Sequence, residues 1–143
     1  MYKRILVGFD GSESGLKAVR RGAELAVSFG SELFVVTVVP PPNVMLGPLL
    51  IPEVVETAPF LETARRRLKE LSNSIFKEYG IDINYEVLEG DPTEALIRYA
   101  EEKKCDLIVV GRRGLRGLER LVLGSVTQKV ASRAKVDTLI VPT

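Results

Sequence analysis

Histidine and tryptophan are absent from this chain of 143 residues, and cysteine occurs once, as Cys105. Without histidine, a serine–histidine nucleophile and an imidazole-ligated metal centre are both excluded. A lone cysteine permits no internal disulfide, which excludes a secreted disulfide scaffold. Lys103-Lys104 before it and Asp106 with an apolar run after it place Cys105 at a helix-to-strand junction, as a small, partly buried hydrophobe. Excess charge is also missing. Twenty Lys and Arg against 19 Asp and Glu leave a formal net charge of +1, which argues against a protein that covers the phosphate backbone of nucleic acid. No apolar run approaches the length of a membrane span. The first one, Ile5-Leu6-Val7, is cut off by Gly8 and Asp10 too soon for a signal peptide. The expected location is therefore the cytoplasm, with no membrane partner. What is present, 45% apolar and 27% charged residues, is the composition of an ordinary globule, and the length suits one domain over residues 1–143.

Short apolar runs alternate with longer segments of helical period. Ile5 to Phe9 ends in the turn Asp10-Gly11-Ser12, where Ser12 can cap a helix. Leu16, Val19, Ala23, Ala26 and Phe29 then recur at spacings of three and four, and Gly30 follows where a left-handed cap is wanted. Leu33 to Val39 is a β-branched run stopped by Pro40-Pro41-Pro42. From there to Thr57 the chain is apolar but without period, and reads as a long, proline-rich loop. Leu61, Ala64, Leu68, Leu71 and Ile75 restore the helical period, and Gly80 ends it. Ile81, Ile83, Tyr85 and Val87 alternate with polar residues, as in a half-exposed edge strand. Asp91-Pro92-Thr93-Glu94 reads as a capped helix start. Leu107 to Val110 is continuously apolar, as in a central parallel strand covered on both faces. Ser125 opens the last helix, and Thr138 to Val141 form the last strand. This alternation is that of an α/β fold with a doubly wound parallel sheet.

In such sheets ligands sit beyond the carboxyl ends of the strands. Asp10-Gly11-Ser12 and the segment from Gly111 onward follow the two most continuously apolar strands, so these two strands are expected to be central and adjacent. Gly111-Arg112-Arg113-Gly114 lets the backbone turn tightly and bring amides toward a ligand. Gly124 and Ser125 begin a helix whose unpaired amides and dipole favour an anion, with the Ser125 hydroxyl as a further donor. Ser125 and Gln128 also have the spacing of a capping box, which needs no ligand. Gly11 through Lys17 has the wrong spacing for a Walker loop, and no GxGxxG follows the first strand. Arg116 and Arg120 read as solvated charge, whereas Arg112 or Arg113 can reach a phosphate from inside the turn.

Glycine, two residues, glycine, nine residues and Gly-Ser, carried by Gly111, Gly114, Gly124 and Ser125, is similar to the ATP-binding signature of the universal stress protein family. The opening Ile5-Leu6-Val7-Gly8-Phe9-Asp10-Gly11-Ser12 and the tail Leu123-Gly124-Ser125-Val126-Thr127 resemble it too. The resemblance covers the whole chain. It implies an open five-stranded parallel sheet in the order 3-2-1-4-5, of the adenine nucleotide α-hydrolase-like, Rossmann-like kind, and a homodimer. By position it puts Asp10, Val38 and Val110 at the adenine and ribose end, and Gly111, Arg112, Arg113 and Gly114 around the ribose and phosphates. Gly124, Ser125, Val126 and Thr127 would hold the phosphate tail. The implied ligand is ATP or a relative of it, with room for a magnesium or manganese ion held on the phosphates; no protein ligand cluster demands one. Thr37 stands where many relatives have histidine, and Lys135-Val136-Asp137 replaces the usual Pro-Val.

Three functions follow as expectations. The first is a nucleotide-dependent regulatory module of the stress response; the others are a slow ATP hydrolase and a nucleotide-independent dimerising stress factor. No residue is placed as catalytic, and a Walker lysine is missing. The last strand, Thr138-Leu139-Ile140-Val141, and the loop at 40–57 are the expected dimer contacts.

Overall fold

The computed structural model describes residues 1–39, 58–113 and 123–143. The loop expected from Pro40 to Thr57 therefore lies outside the described residues, as do Gly114, Arg116 and Arg120. Five strands and four helices alternate along the chain: β1 Arg4–Gly8, α1 Glu13–Phe29, β2 Glu32–Val39, α2 Ala58–Tyr79, β3 Ile83–Glu89, α3 Pro92–Glu102, β4 Leu107–Gly111, α4 Ser125–Arg133 and β5 Asp137–Val141. The strands form one parallel sheet in the order β3-β2-β1-β4-β5. The chain runs outward through β2 and β3, then returns to the far side of β1, so β1 and β4 are neighbours and their carboxyl ends flank the point where the order reverses.

The sheet divides the core in two. Ile5, Val7, Val35, Leu107 and Val109 point to one face, under α1 and α2, with Val19, Ala23, Leu68 and Ile75 packed on them. Leu6, Phe34, Val36, Ile108 and Val110 point to the other, under α3 and α4, with Leu96, Tyr99 and Val130. A central strand buried on both faces has no position for a polar side chain, which explains the continuous apolar runs of β1 and β4. β3, at the edge, is the alternating one: Ile83 is buried while Asn84, Tyr85 and Glu86 are exposed. It begins two residues later than the alternation from Ile81 suggests.

Local signals set the helix ends. The Ser12 side chain accepts from the Gly15 amide and Gly30 closes α1 at φ 66°. Asp91 accepts from the Glu94 amide at 3.0 Å with Pro92 at the first turn of α3. One local expectation is overturned. Gly124, not Ser125, is the N-cap of α4, and it makes no side-chain cap bond. Ser125 already lies inside the helix, so its hydroxyl cannot reach back as the first half of a capping box. Gln128 instead donates from its side chain to the Leu123 carbonyl at 3.3 Å. At the start of β5, Asp137 accepts from the Tyr2 hydroxyl at 2.7 Å, joining β5 to the start of the chain.

Cys105 is a buried free thiol, 4% exposed. Burial, then the neighbouring Asp106 carboxylate, push its pKa up to about 11, above the ordinary thiol value of 9.0. The folded protein therefore keeps the thiol proton after the unfolded chain has released it. Stability from this group is complete below pH 9 and is lost as pH rises through about 11. Urea unfolding from pH 8 to 11 should show stability falling with pH, and falling less steeply in Cys105→Ala. Parallel profiles for the two proteins would contradict this.

Candidate functional site

Two loops meet at the carboxyl ends of β1 and β4. After β1, Asp10 folds back so that its carboxylate accepts from the Ser12 amide at 2.9 Å and from the Ser12 hydroxyl. Ser12 in turn accepts from the Gly15 amide at 3.0 Å. This relay needs Gly11 in the left-handed region, at φ 86°. The result is a rigid turn with an exposed acidic residue at its corner. Thr37 donates its hydroxyl to the Phe9 carbonyl at 2.8 Å and holds β2 to the end of β1.

After β4 the packing is closer. A Cβ on Gly111 would meet the Ser14 hydroxyl and lie 2.7 Å from its carbonyl oxygen and 2.8 Å from its carbonyl carbon. Only glycine lets the first turn of α1 rest directly on the end of β4. Ser14 is itself 5% exposed, and its hydroxyl accepts from the Arg113 amide at 3.4 Å. The Gly111 carbonyl accepts from the hydroxyl of Thr127, also 5% exposed, at 2.7 Å. Gly111 thus ties the starts of α1 and α4 to one strand end.

This geometry redistributes the expected amide donors. Arg112 donates its amide to Val141 at 2.8 Å, Gly124 donates to Arg112 at 2.9 Å, and Arg113 faces Ser14. These amides serve the fold rather than a guest. Among the described residues, the donors left are those of the first turn of α4, Ser125, Val126 and Thr127, because Gly124 has no side chain to cap them. Ser125 is exposed, Val126 half-buried and packed on the second core, and Thr127 committed through its side chain to Gly111. The side chains of Arg112 and Arg113 are half-buried, and both Nε atoms are buried with no hydrogen-bond partner. Two orphaned guanidinium donors near an uncapped helix start make a cationic, donor-rich corner. Val110 is 5% exposed at the end of β4, and Val38 is half-buried on β2 opposite Leu88. Val110, Arg112, Arg113, Gly124, Ser125 and Thr127 come together around Gly111. Asp10 stands beside them on the β1 turn, Val38 lies further along the sheet edge, and Gly114 is outside the described residues.

Ser14 and Thr37 were not predicted as site residues. Their partners lie about a hundred and 28 positions away, and no local pattern marks either contact.

A family model described as the universal stress protein family matches residues 1–142. The chain belongs to that family. Among curated relatives, universal stress protein Rv1636 of Mycobacterium tuberculosis is 35% identical, covering 99% of this chain and 97% of its own. Universal stress protein MJ0531 of Methanocaldococcus jannaschii is 34% identical over 99% of this chain and 82% of its own. A crystal structure of a universal stress protein in complex with cAMP is 35% identical, with a TM-score of 0.71 over 98% of this chain and 96% of that one. In this universal stress protein the sheet order agrees with that implied by the resemblance.

Substituting Gly111 by alanine should displace the first turn of α1 and destabilise the fold by about 1–3 kcal/mol, the usual range for overpacking. Adding Ser14→Ala should recover little, because the backbone carbonyl of Ser14 remains in the way. Urea melts of the single and double variants test this, and full recovery in the double variant would contradict it.

Proposed function

We propose that the chain binds an adenine nucleotide, ATP or a close relative, at the carboxyl ends of β1 and β4, and acts as a nucleotide-dependent regulatory module in stress response. The observation that carries this reading is the uncapped first turn of α4 beside Arg112 and Arg113, whose Nε atoms are buried without a hydrogen-bond partner, while Arg113 Nη2 donates to the Thr143 hydroxyl at 3.5 Å. Those groups suit phosphate oxygens: a helix start offers amides and positive potential, and guanidinium adds charge-assisted donors. The cAMP complex of a relative supports the adenine part. In this reading Asp10, Val38 and Val110 border the base and ribose. Gly111, Arg112, Arg113 and Gly114 turn around the ribose and phosphates, and Gly124, Ser125 and Val126 receive the phosphate tail. Thr127 acts through Gly111, holding α4 in place. A magnesium or manganese ion would ride on the phosphates; the described residues contain no cluster of three or more acidic, histidine or cysteine ligands. Binding to the folded state alone would raise stability with ligand concentration, which gives the nucleotide a regulatory lever. The free, buried thiol of Cys105 suits the cytoplasm.

Ser125→Asp separates binding from folding. An acidic residue in the first turn stabilises a helix by about 0.3–1 kcal/mol, while its carboxylate repels phosphate at that same position. ATP affinity by calorimetry should fall at least tenfold with the melting temperature unchanged or raised. Retained affinity, or wild-type protein that neither co-purifies with nor binds adenine nucleotide, would defeat the reading.

We also infer a homodimer through β5. This edge strand pairs with β4 alone, Thr138, Leu139 and Ile140 are only half-buried, and the Thr138 hydroxyl is a buried group with no partner. The loop at 40–57 is the second proposed contact. Light scattering should give twice the chain mass at micromolar concentration; a monomer at every concentration would overturn it.

A further inference from the structure

The basic run Arg65-Arg66-Arg67 lies on α2, and all three residues are exposed. Charge on an outer helix face usually serves only solvation. Arg67 differs by where its guanidinium ends. An ideal Cβ on Gly11 would lie 2.9 Å from Arg67 Nη1 and 3.8 Å from Arg67 Cζ, with no other atom of that side chain within 4 Å. The guanidinium therefore comes end-on to the face of Gly11 where any other residue would carry its side chain. The φ of 86° at Gly11 admits the turn, and the missing side chain admits the arginine.

The position matters because Gly11 sits between Asp10 and Ser12 at the carboxyl end of β1. α2 packs over β2 and β3 on the face it shares with α1. Arg67 thus reaches the turn from the β2 side of β1, on the α1–α2 face of the sheet, whereas Arg112, Arg113 and α4 stand on the β4 side. The crevice would then have cations at both ends, with the exposed Asp10 between them. A guanidinium is planar, weakly hydrated and rich in donors, so it can lie on an aromatic base or bond ribose hydroxyls.

We propose that Arg67 is a further ligand-contacting residue, forming the α2 wall of the crevice and contacting the adenosine part of the nucleotide. This rests on the nucleotide-binding reading above and adds to it a contact outside the glycine loop. Because the contact is to base and ribose, its loss is independent of phosphate number.

The test is calorimetric titration of wild-type protein, Arg67→Ala and the neighbouring Arg66→Ala with adenosine, AMP and ATP. Arg67→Ala should bind all three about three- to tenfold more weakly, in line with a partly desolvated cation–π or donor contact. Arg66→Ala should match wild type, and melting temperatures should agree across the three proteins, since both arginines are exposed. Unchanged affinity in Arg67→Ala while wild type binds would overturn this proposal alone. A loss that appears with ATP but not with adenosine would overturn the assignment to the base end. Wild-type protein that binds none of the three ligands would overturn the underlying site reading, and this proposal with it.

Discussion

The end of β4 can approach the start of α1 only because residue 111 has no side chain. Through that gap the backbone of Ser14 comes within contact distance of Gly111. The Gly111 carbonyl takes the Thr127 hydroxyl from α4, and Arg112 continues the ladder to Val141. Three elements from distant parts of the chain are thereby fixed against one residue. The Asp10 turn, the arginines and the uncapped start of α4 hold their relative positions through this junction.

Three of the described amides beside Gly111 are engaged within the protein, two in backbone bonds and one with the Ser14 hydroxyl. In the proposed reading, affinity for an anion would come from the helix start and the guanidinium groups. Glycine at position 111 is first a packing requirement. Glycine at 124 matters because it withholds the side-chain cap that serine, threonine, asparagine or aspartate would supply. An ordinary N-cap there would compete with any phosphate for the same donors.

The two faces of the sheet divide the labour. α3 and α4 bury the second core and present α4 to the crevice, while α1 and α2 bury the first core and bring Ser14 and Arg67 to the same edge. The β1 turn lies between these two contributions. A relative at 35% identity is known in complex with cAMP, an adenine nucleotide like the ligand proposed for this corner.

The alternation of apolar runs and helical periods determined the element order, and the caps at Ser12, Gly30 and Asp91 followed from local chemistry alone. The buried central strands and the β3 edge were legible as well, because burial on one or both faces writes a period directly into the residues. The sheet order and the glycine-to-Gly-Ser spacing came from likeness to a known family rather than from any period. What the tertiary structure decided lies in contacts between residues far apart in the chain. Ser14 against Gly111, Thr127 on the Gly111 carbonyl, Arg67 on Gly11 and the engaged amides of Arg112 and Gly124 leave no local trace. The failed capping box at Ser125 belongs with them, since a single residue of phase separates a cap from a first-turn position. Such contacts depend on how two elements lie together in space, and spacing along one chain does not encode that distance.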